Sequence, residues 1–400
     1  MSNDVTELKQ FAGLHAKAQD LGGSLAVLDR IHTDDGDAPG SWAGEWSREA
    51  AQLRRQGNVL AAAAHYNMAR FPFVDGDARA QALDECVQCF TEWAAQNGIS
   101  RLDLTLHNGR VRAWTSGLSA RRPRPVLVMC GGIVSIKEQW GPALRAITRL
   151  GFAGVVVEMP GVGENTMPYD ADSWQLFSAV LDEIEGRADV SACYLLAFSF
   201  SGHLALRCAL ADRRIRGVVT AGAPVRHFFR DTAWHASLPK VTVDTLAHLT
   251  GIPVGGLAGA LAPWALGEDQ LAALDIPVGY AASARDEIIP PGDPALIADL
   301  VRDADVVVQD DVHGSPSFIA PTRLWAVHTI LRMRGGRPAH RAAVAAALQL
   351  ARWQARISAV RTKVVTGGQA DPGREHHDAF GGDREDRRRT HSGDADSHVS

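Results

Sequence analysis

Residues 193–204, CYLLAFSFSGHL, form an apolar run that ends at a serine and then continues with the pattern of a helix. A strand that turns sharply into a helix at a serine is the layout of a nucleophile elbow, and its crowded backbone tolerates only small neighbours two positions away. Ala197 and Ser201 meet this condition for Ser199, although the usual motif has glycine at both places. Ser201 is the weaker nucleophile because His203 would then stand where a small residue is needed. The alternative is a buried strand that merely ends in polar residues.

Two further residues follow predicted strands downstream of Ser199. Residues 276–284, IPVGYAASA, are typical of a buried strand, and Asp286 lies just beyond it. Residues 304–309, ADVVVQ, are typical of the next strand, and His313 lies in the loop that follows. The order serine, acid, histidine is that of α/β-hydrolases, in which each residue follows a strand of one sheet. We therefore predict a Ser-His-Asp triad.

These residue types suit acyl transfer because a serine hydroxyl becomes a good nucleophile only when an imidazole removes its proton. A carboxylate then orients the imidazole and stabilises its cation. Taken singly, an aspartate in a turn or a histidine in a loop more often has a structural role. Rival residues are the acids Asp310 and Asp311 and the bases His203, His227 and His235.

The reaction also needs two hydrogen-bond donors for the developing oxyanion. The backbone N–H of Phe200 directly follows the proposed nucleophile and is the first candidate. The second is expected in the loop after the strand at 125–130, PVLVMC, from the N–H of Ile133 or Gly132. Residues 135–138, SIKE, match a capping box that would open the next helix, so the glutamate is expected to be structural.

The chain divides into four predicted parts. Residues 1–100 have the pattern of a helical domain. From 101 to 335 short apolar runs alternate with amphipathic helices, which predicts an α/β-hydrolase fold with a mostly parallel central sheet flanked by helices. Residues 336–362 continue as an alanine-rich C-terminal helix. The composition of 363–400 is typical of a disordered tail.

An insertion at 226–272 is rich in Trp, His, Gly and Leu. It is expected to form a lid over the elbow, with the helical domain closing the other side, which gives an apolar and sheltered pocket. The predicted substrate contacts are Phe198, His227 and Trp234. The alternative is that these aromatic side chains belong only to the core.

Composition limits the partners. The chain has 400 residues, a net charge of −5, and 46% hydrophobic and 22% charged residues, which argues for a globular protein and against nucleic acid or an anionic membrane as partner. No early stretch resembles a signal peptide or a membrane span, so a cytoplasmic location is expected. Five cysteines fit a reducing compartment, and Cys86 and Cys89 are expected to pack within a helix rather than to bind metal.

Three segments resemble one branch of the α/β-hydrolases: CGGIVSIKEQW at 130–140, EMPGVGEN at 158–165 and AFSFSGHLALRCAL at 197–210. The branch includes 2,6-dihydroxypseudooxynicotine hydrolase, polyketide chain-shortening hydrolases of pigment pathways and the fermentation-respiration switch esterase group. Its members have a helical N-terminal region, which residues 42–93 resemble. The resemblance covers about residues 40–335, and its triad corresponds to Ser199, Asp286 and His313.

The resemblance implies cleavage of an ester, a thioester or a carbon–carbon bond beside a ketone. We predict a serine hydrolase that forms an acyl-enzyme with a bulky, aromatic or polyketide-like small molecule. One alternative is a biosynthetic eliminase or acyltransferase with His313 as general base, and another is a non-catalytic binding module. No metal or organic cofactor is implied, because the serine mechanism needs neither. The expected partner is a small acyl substrate, and a homodimer is left open.

Overall fold

The computed structural model describes residues 3–19, 21–106, 108–335 and 338–367, with the backbone alone for residue 18 and for 356–367. The described residues fall into two units, one that ends at residue 355 and one that begins at residue 356. Of the predicted tail at 363–400, the first five residues continue the last helix, and the remainder lies outside the described residues.

The N-terminal part is built of helices. They are α1 (Val5–Ala18), α2 (Ser24–Arg30), α3 (Trp42–Arg55), α4 (Val59–Arg70) and α5 (Asp77–Ala95). Trp42 and Trp46 stand four residues apart on one face of α3, and both are fully buried. The indole N–H of Trp42 donates to the Met68 carbonyl at 2.8 Å and joins α3 to α4. The two tryptophans thereby hold these helices together.

One sheet runs through the middle of the fold. Its strands are β1 (Ser100–Leu106), β2 (Gly109–Ser116), β3 (Pro125–Cys130), β4 (Ala153–Val157), β5 (Asp189–Phe198), β6 (Ile215–Ala221), β7 (Val278–Ser283) and β8 (Ala304–Gln309). Their order is β1-β2-β4-β3-β5-β6-β7-β8. The β1–β2 hairpin is antiparallel and joins β4 in antiparallel fashion, whereas the pairs from β4 to β8 are parallel. This confirms the predicted fold class.

The strand order reverses direction at β3. The chain passes from β3 to β4 on one side and then returns to β5 on the other side. Connections that leave a parallel sheet in opposite directions open a crevice at the carboxyl ends of the strands, and ligands bind there. The ends of β3 and β5 are therefore where the fold provides a site.

The remaining helices flank the sheet or form the insertion. Those before the insertion are α6 (Lys137–Trp140), α7 (Leu144–Arg149), α8 (Gln175–Ile184) and α9 (Phe200–Ala211), with a 3₁₀ turn at Gly141–Ala143. The insertion contains α10 (His227–Arg230), α11 (Thr232–His235), α12 (Lys240–Thr250), α13 (Val254–Leu261) and α14 (Glu268–Ala272), with a 3₁₀ turn at Ala262–Trp264. The last helices are α15 (Gly292–Leu300), α16 (Ile319–Arg334) and α17 (Pro338–Gly367).

Among the described residues, no single helix has both the length and the apolar composition needed to cross a bilayer. The helices Lys240–Thr250 and Val254–Trp264, bent by 74°, reach that length and composition only when they are counted together.

Asp293, at the start of α15, is a buried carboxylate that anchors the beginning of the insertion. Its two oxygens accept backbone N–H groups from the four consecutive residues 225–228, at 2.6–3.2 Å. A carboxylate removed from water is stable only when such donors replace its hydration. One side chain thus fixes the position at which the chain leaves β6 for the insertion.

We predict that Asp293→Ala lowers the free energy of unfolding by about 3–5 kcal/mol, because several buried N–H groups lose their acceptor. Urea denaturation measures this. Asp275→Ala is the matched control, since Asp275 pairs with Arg302 at the surface and its removal should change stability by less than about 0.5 kcal/mol. Equal losses in the two variants would contradict the anchoring role.

Candidate active site

Ser199 occupies the turn between β5 and α9, and its backbone is strained. Its φ of 55° and ψ of −132° belong to a region that residues other than glycine rarely adopt. The N–H of Ser199 donates to the Ala221 carbonyl at 2.8 Å, which holds the turn against the end of β6. The turn has the geometry of a nucleophile elbow.

The small residues that replace the usual elbow glycines are both fully buried. Ala197 packs in the core, and the Ser201 hydroxyl donates to the carbonyls of Phe198 at 2.9 Å and Cys130 at 3.0 Å. Ser201 is therefore engaged with the ends of two strands, which leaves Ser199 as the serine available for chemistry.

His313 and Asp286 form a hydrogen-bonded chain with Ser199. The Ser199 Oγ lies 3.1 Å from His313 Nε2, and His313 Nδ1 lies 2.9 Å from each carboxylate oxygen of Asp286. Asp286 Oδ1 also accepts the N–H groups of Ile288 at 3.0 Å and Ile289 at 2.8 Å. The loop after β7 thus orients the carboxylate, and the carboxylate orients the imidazole.

The surroundings of His313 favour its protonated form. Burial lowers the pKa of the imidazole, but the charge and hydrogen bond of Asp286, with a smaller contribution from Glu287, raise it above the ordinary value of 6.5. Glu287 also accepts the backbone N–H of His313 at 3.0 Å. A base with a raised pKa accepts a proton from serine more readily.

The structure gives the two rival acids other partners. Asp310 pairs with Arg285 at 2.8 Å on the protein surface. Asp311 accepts the backbone N–H groups of Val312 at 3.0 Å and Ser317 at 2.7 Å, and it shapes the loop that holds His313. Neither has a hydrogen bond to the His313 ring in the described part of the chain.

Two of the rival histidines, His203 and His235, have backbone carbonyls as partners. His203 is fully buried, and its Nε2 lies 2.9 Å from the Trp264 carbonyl. Burial lowers the pKa of His203 to about 3, although that hydrogen bond acts in the opposite direction. The His235 ring contacts the Phe228 carbonyl.

The loop after β3 passes very close to Ser199. A Cβ atom added to Gly132 would lie 2.9 Å from Ser199 Cβ, so only glycine lets the backbone approach this near. The Gly132 carbonyl accepts the Ser135 N–H at 3.0 Å and closes a turn. The N–H groups of Ile133 in this turn and of Phe200 at the start of α9 donate no hydrogen bond within the described residues. Both are therefore available to a ligand.

The predicted capping box at 135–138 is wrong. Helix α6 begins after Ile136 without a side-chain cap, and it ends after one turn. Lys137 is fully buried and contacts three carboxylates, those of Glu138 at 2.9 Å, Glu158 at 3.3 Å and Glu164 at 2.8 Å. Burial raises the pKa of Glu158 to about 7 despite the nearby Lys137. A buried ionic cluster, not a cap, fixes the segment that follows the glycine loop.

Ser199 and His313 open into a cavity of about 210 Å³. Most of its wall is aromatic or aliphatic, from Phe11, Leu14, Phe71, Ile133, Val134, Trp140, Phe198, Phe200, Ala221, Val241, Ile288, Pro316 and Ile319. The polar side chains in its wall, besides those of the triad, are His15, Ser135, Gln139, Thr242, Glu287, Thr322 and Arg323. Helix α1, the insertion and the sheet all contribute to this wall.

Of the three predicted substrate contacts, one lies on this wall. Phe198 lines the cavity and stacks on Trp140 at a centroid distance of 4.8 Å. His227 and Trp234 are not lining residues. The N–H of His227 is bound by Asp293, and its ring packs against Gly292, so it is drawn towards α15. The Trp234 indole donates to the Ile288 carbonyl at 2.8 Å.

His15 of α1 lines the cavity, and sequence reasoning missed it. Burial, with smaller effects of the charges on Arg70 and His313, lowers its pKa to about 4, so the ring is neutral at pH 7. The ring packs on Phe71 at 5.1 Å between centroids and has no hydrogen-bond partner within the described residues. Its position in an N-terminal helix gave no signal, because the sequence does not reveal which helix face meets the site.

A family profile described as "Esterase FrsA-like" matches residues 31–303. The chain belongs to the FrsA-like esterase family. This confirms the predicted resemblance to the fermentation-respiration switch esterase group and the predicted class of α/β-hydrolase enzyme.

The relatives of this protein match different shares of its chain. Esterase FrsA of Vibrio cholerae is 27% identical over 257 residues, which span 59% of this chain and 62% of that esterase. The solved structure of AbyA5 is 53% identical, covers 87% of this chain and 99% of its own, and has a TM-score of 0.85. The structure of 2,6-dihydroxy-pseudo-oxynicotine hydrolase, at 20% identity, covers 80% of this chain and 95% of its own, with a TM-score of 0.64, and shares the fold.

We predict that Lys137→Met lowers the free energy of unfolding by about 3–5 kcal/mol, because Glu138 and Glu158 then share a buried site without their cation. Urea denaturation followed by circular dichroism measures the loss. Lys240→Met is the control, because Lys240 is more than half exposed and its ion pair with Asp244 should contribute less than about 1 kcal/mol. A loss for Lys137→Met no larger than for the control would show that the cluster does not stabilise this region.

Proposed function

We propose that this chain is a serine hydrolase that cleaves an ester, a thioester or a carbon–carbon bond beside a ketone. The observation that carries the proposal is the hydrogen-bonded series from Ser199 through His313 to Asp286 at the wall of a mostly apolar cavity. The serine lies on a strained turn that only a crowded, well-supported site retains. Membership of an esterase family supports the same reaction class.

In the first step, the Ser199 Oγ attacks the substrate carbonyl while His313 Nε2 takes the hydroxyl proton. Asp286 keeps the other ring nitrogen protonated and stabilises the imidazolium. The carbonyl electrons move to oxygen, and the N–H groups of Phe200 and Ile133 are positioned to receive that charge. Phe200 also begins the twelve-residue helix α9, whose amino end carries partial positive charge.

In the second step, the tetrahedral adduct collapses. The imidazolium gives its proton to the leaving oxygen, sulfur or carbon, and an acyl-Ser199 ester remains. Water then attacks this ester with His313 as base, and the acid is released. The enclosed, largely apolar wall limits competing water and strengthens each electrostatic contact.

The cavity wall favours a bulky and partly oxygenated substrate. Phe198 and Trp140 form a stacked pair suited to contact with an aromatic or extended apolar group. His15 adds a neutral imidazole without a hydrogen-bond partner in the described residues, which can bind a further oxygen atom. These features suit an aromatic or polyketide-like acyl compound.

We predict that a fluorophosphonate adds once to the wild-type protein, at Ser199, and not to Ser199→Ala. Intact mass and sequencing of the modified peptide measure this. Ser199→Ala should also lower kcat for p-nitrophenyl esters by about 10³-fold or more. Ser201→Ala is the matched control, because it removes a hydroxyl two residues along the chain that is hydrogen-bonded to the Cys130 and Phe198 carbonyls. An adduct on Ser201, or normal turnover by Ser199→Ala, would refute the mechanism.

Turnover in water labelled with ¹⁸O separates hydrolysis from elimination or acyl transfer. Hydrolysis must place solvent oxygen in the released acid, because water attacks the acyl-enzyme. A wild type that reacts with the fluorophosphonate but releases unlabelled product would favour the eliminase or acyltransferase. A protein that reacts with neither the fluorophosphonate nor the p-nitrophenyl esters would favour the interpretation as a non-catalytic binding module.

The raised pKa of His313 predicts the acid side of the pH profile. The neutral ring is the active form, so kcat/KM should fall as pH drops through a midpoint above 6.5. Asp286→Asn removes the charge that raises this pKa, so the midpoint should move down while kcat falls by about 10³–10⁴-fold. Initial rates between pH 5 and 9 test both changes. An unchanged midpoint in Asp286→Asn would contradict the proposed partnership.

A further inference from the structure

Arg70, the last residue of α4, is a buried cation with only 2% of its surface exposed. Its guanidinium donates to three neutral oxygens: Asn67 Oδ1 at 3.0 and 2.8 Å, the Pro72 carbonyl at 2.9 Å and the Val134 carbonyl. Burial lowers the pKa of Arg70 to about 10, so it stays charged at neutral pH. A buried cation without an adjacent carboxylate costs several kcal/mol. The unfavourable burial indicates that Arg70 does more than fill space between the helices.

The Val134 carbonyl connects Arg70 to the loop beside Ser199. Val134 C=O and Ser135 N–H belong to one planar peptide group, so fixing the carbonyl fixes the N–H. The Ser135 N–H donates to the Gly132 carbonyl at 3.0 Å. The Gly132 carbonyl in turn shares its peptide plane with the Ile133 N–H. The orientation of the Ile133 N–H therefore depends, through two peptide groups, on the guanidinium of Arg70.

We propose that Arg70 is a positioning residue that holds the Ile133 N–H in place as an oxyanion donor. This role rests on the proposed function, because it requires an oxyanion formed at Ser199. The N-terminal helices thus act on the chemistry as well as on the cavity wall. If the Val134 peptide turned, the Ser135 N–H would leave Gly132, and the donor beside Ser199 would lose its fixed direction.

Arg79 of α5 provides a matched comparison. It is also buried, with 5% exposed, and it donates to the Phe71 carbonyl at 3.0 Å. Unlike Arg70, it pairs with two carboxylates, Asp34 at 2.5 Å and Asp75 at 2.9 Å, and within the described part of the chain it has no hydrogen bond to the loop at 131–136. Loss of Arg79 should therefore weaken the fold of the same helices without changing the oxyanion site.

The test compares two ketones of equal chain length, one with a CF3 and one with a CH3 group beside the carbonyl, so that only the first adds the nucleophile readily. Differences between the free ketones are the same for every protein variant. In 1,1,1-trifluorooctan-2-one, the Ser199 oxygen adds reversibly to the carbonyl carbon, the carbonyl electron pair moves to oxygen, and the serine proton passes to His313. Octan-2-one binds without this addition. The ratio of the two dissociation constants therefore reports the stabilisation of the adduct. Tryptophan fluorescence can measure both, since Trp140 lines the cavity.

Wild type should bind the trifluoromethyl ketone at least about 100-fold more tightly than octan-2-one. Arg70→Met should lose about 10- to 100-fold of this preference while its affinity for octan-2-one stays within about threefold, because one oxyanion donor is misplaced. Arg79→Met should keep the full preference, even with a lowered melting temperature. Arg70→Lys keeps the positive charge but not the planar guanidinium, so its preference for the trifluoromethyl ketone should fall about tenfold. This variant provides the test if Arg70→Met does not fold.

The outcomes distinguish the two proposals. If wild type prefers the trifluoromethyl ketone and Arg70→Met and Arg70→Lys retain the full preference, Arg70 has no positioning role and the proposed function stands. An equal loss in Arg79→Met would also overturn the positioning role, since it would show a general effect of the helices. If wild type binds both ketones equally, or Ser199→Ala retains the preference, the proposed function fails and the role of Arg70 fails with it.

Discussion

The backbone of Ser199 is the constraint on which the rest of the site depends. A φ of 55° at a serine is unfavourable by about 1–3 kcal/mol, and the turn persists because neighbouring segments hold it. The Ala221 carbonyl binds its N–H, and Gly132 approaches its side chain so closely that a Cβ atom would clash. The hydroxyl is thereby presented at the carboxyl ends of β3, β5 and β6, where the loops that carry Asp286 and His313 can reach it.

Sequence reasoning predicted the parts of the site that follow from strand order. A buried strand, its end and the residue after it can be read locally, and parallel strands bring their carboxyl ends to one edge. Ser199, Asp286 and His313 therefore meet as expected from three separate segments. The triad role that we propose for them rests on their chemistry as well as on their position.

What the sequence did not predict depends on long-range packing. His15 and Arg70 lie in helices whose pattern shows an apolar face but not the neighbour that this face meets. The sequence places His227 and Trp234 in the cavity because they are aromatic and lie in the insertion, but the His227 N–H is bound by Asp293 of α15 and the Trp234 indole by the Ile288 carbonyl in the loop before that helix. The SIKE segment does not form a capping box because the Glu138 carboxylate contacts Lys137 and the Trp114 indole instead, and Lys137 also binds Glu158 and Glu164, which are distant in sequence.

The replaced elbow glycines suggest how the family motif can vary without losing its geometry. Ala197 adds one methyl group to the core, whereas Ser201 adds a hydroxyl that would be costly to bury unpaired. That hydroxyl finds two carbonyls, one at the end of β5 and one at the end of β3. The serine therefore contributes a polar link between the carboxyl ends of these two paired strands, beside the nucleophile. Glycine at position 201 would remove this donor from both carbonyls.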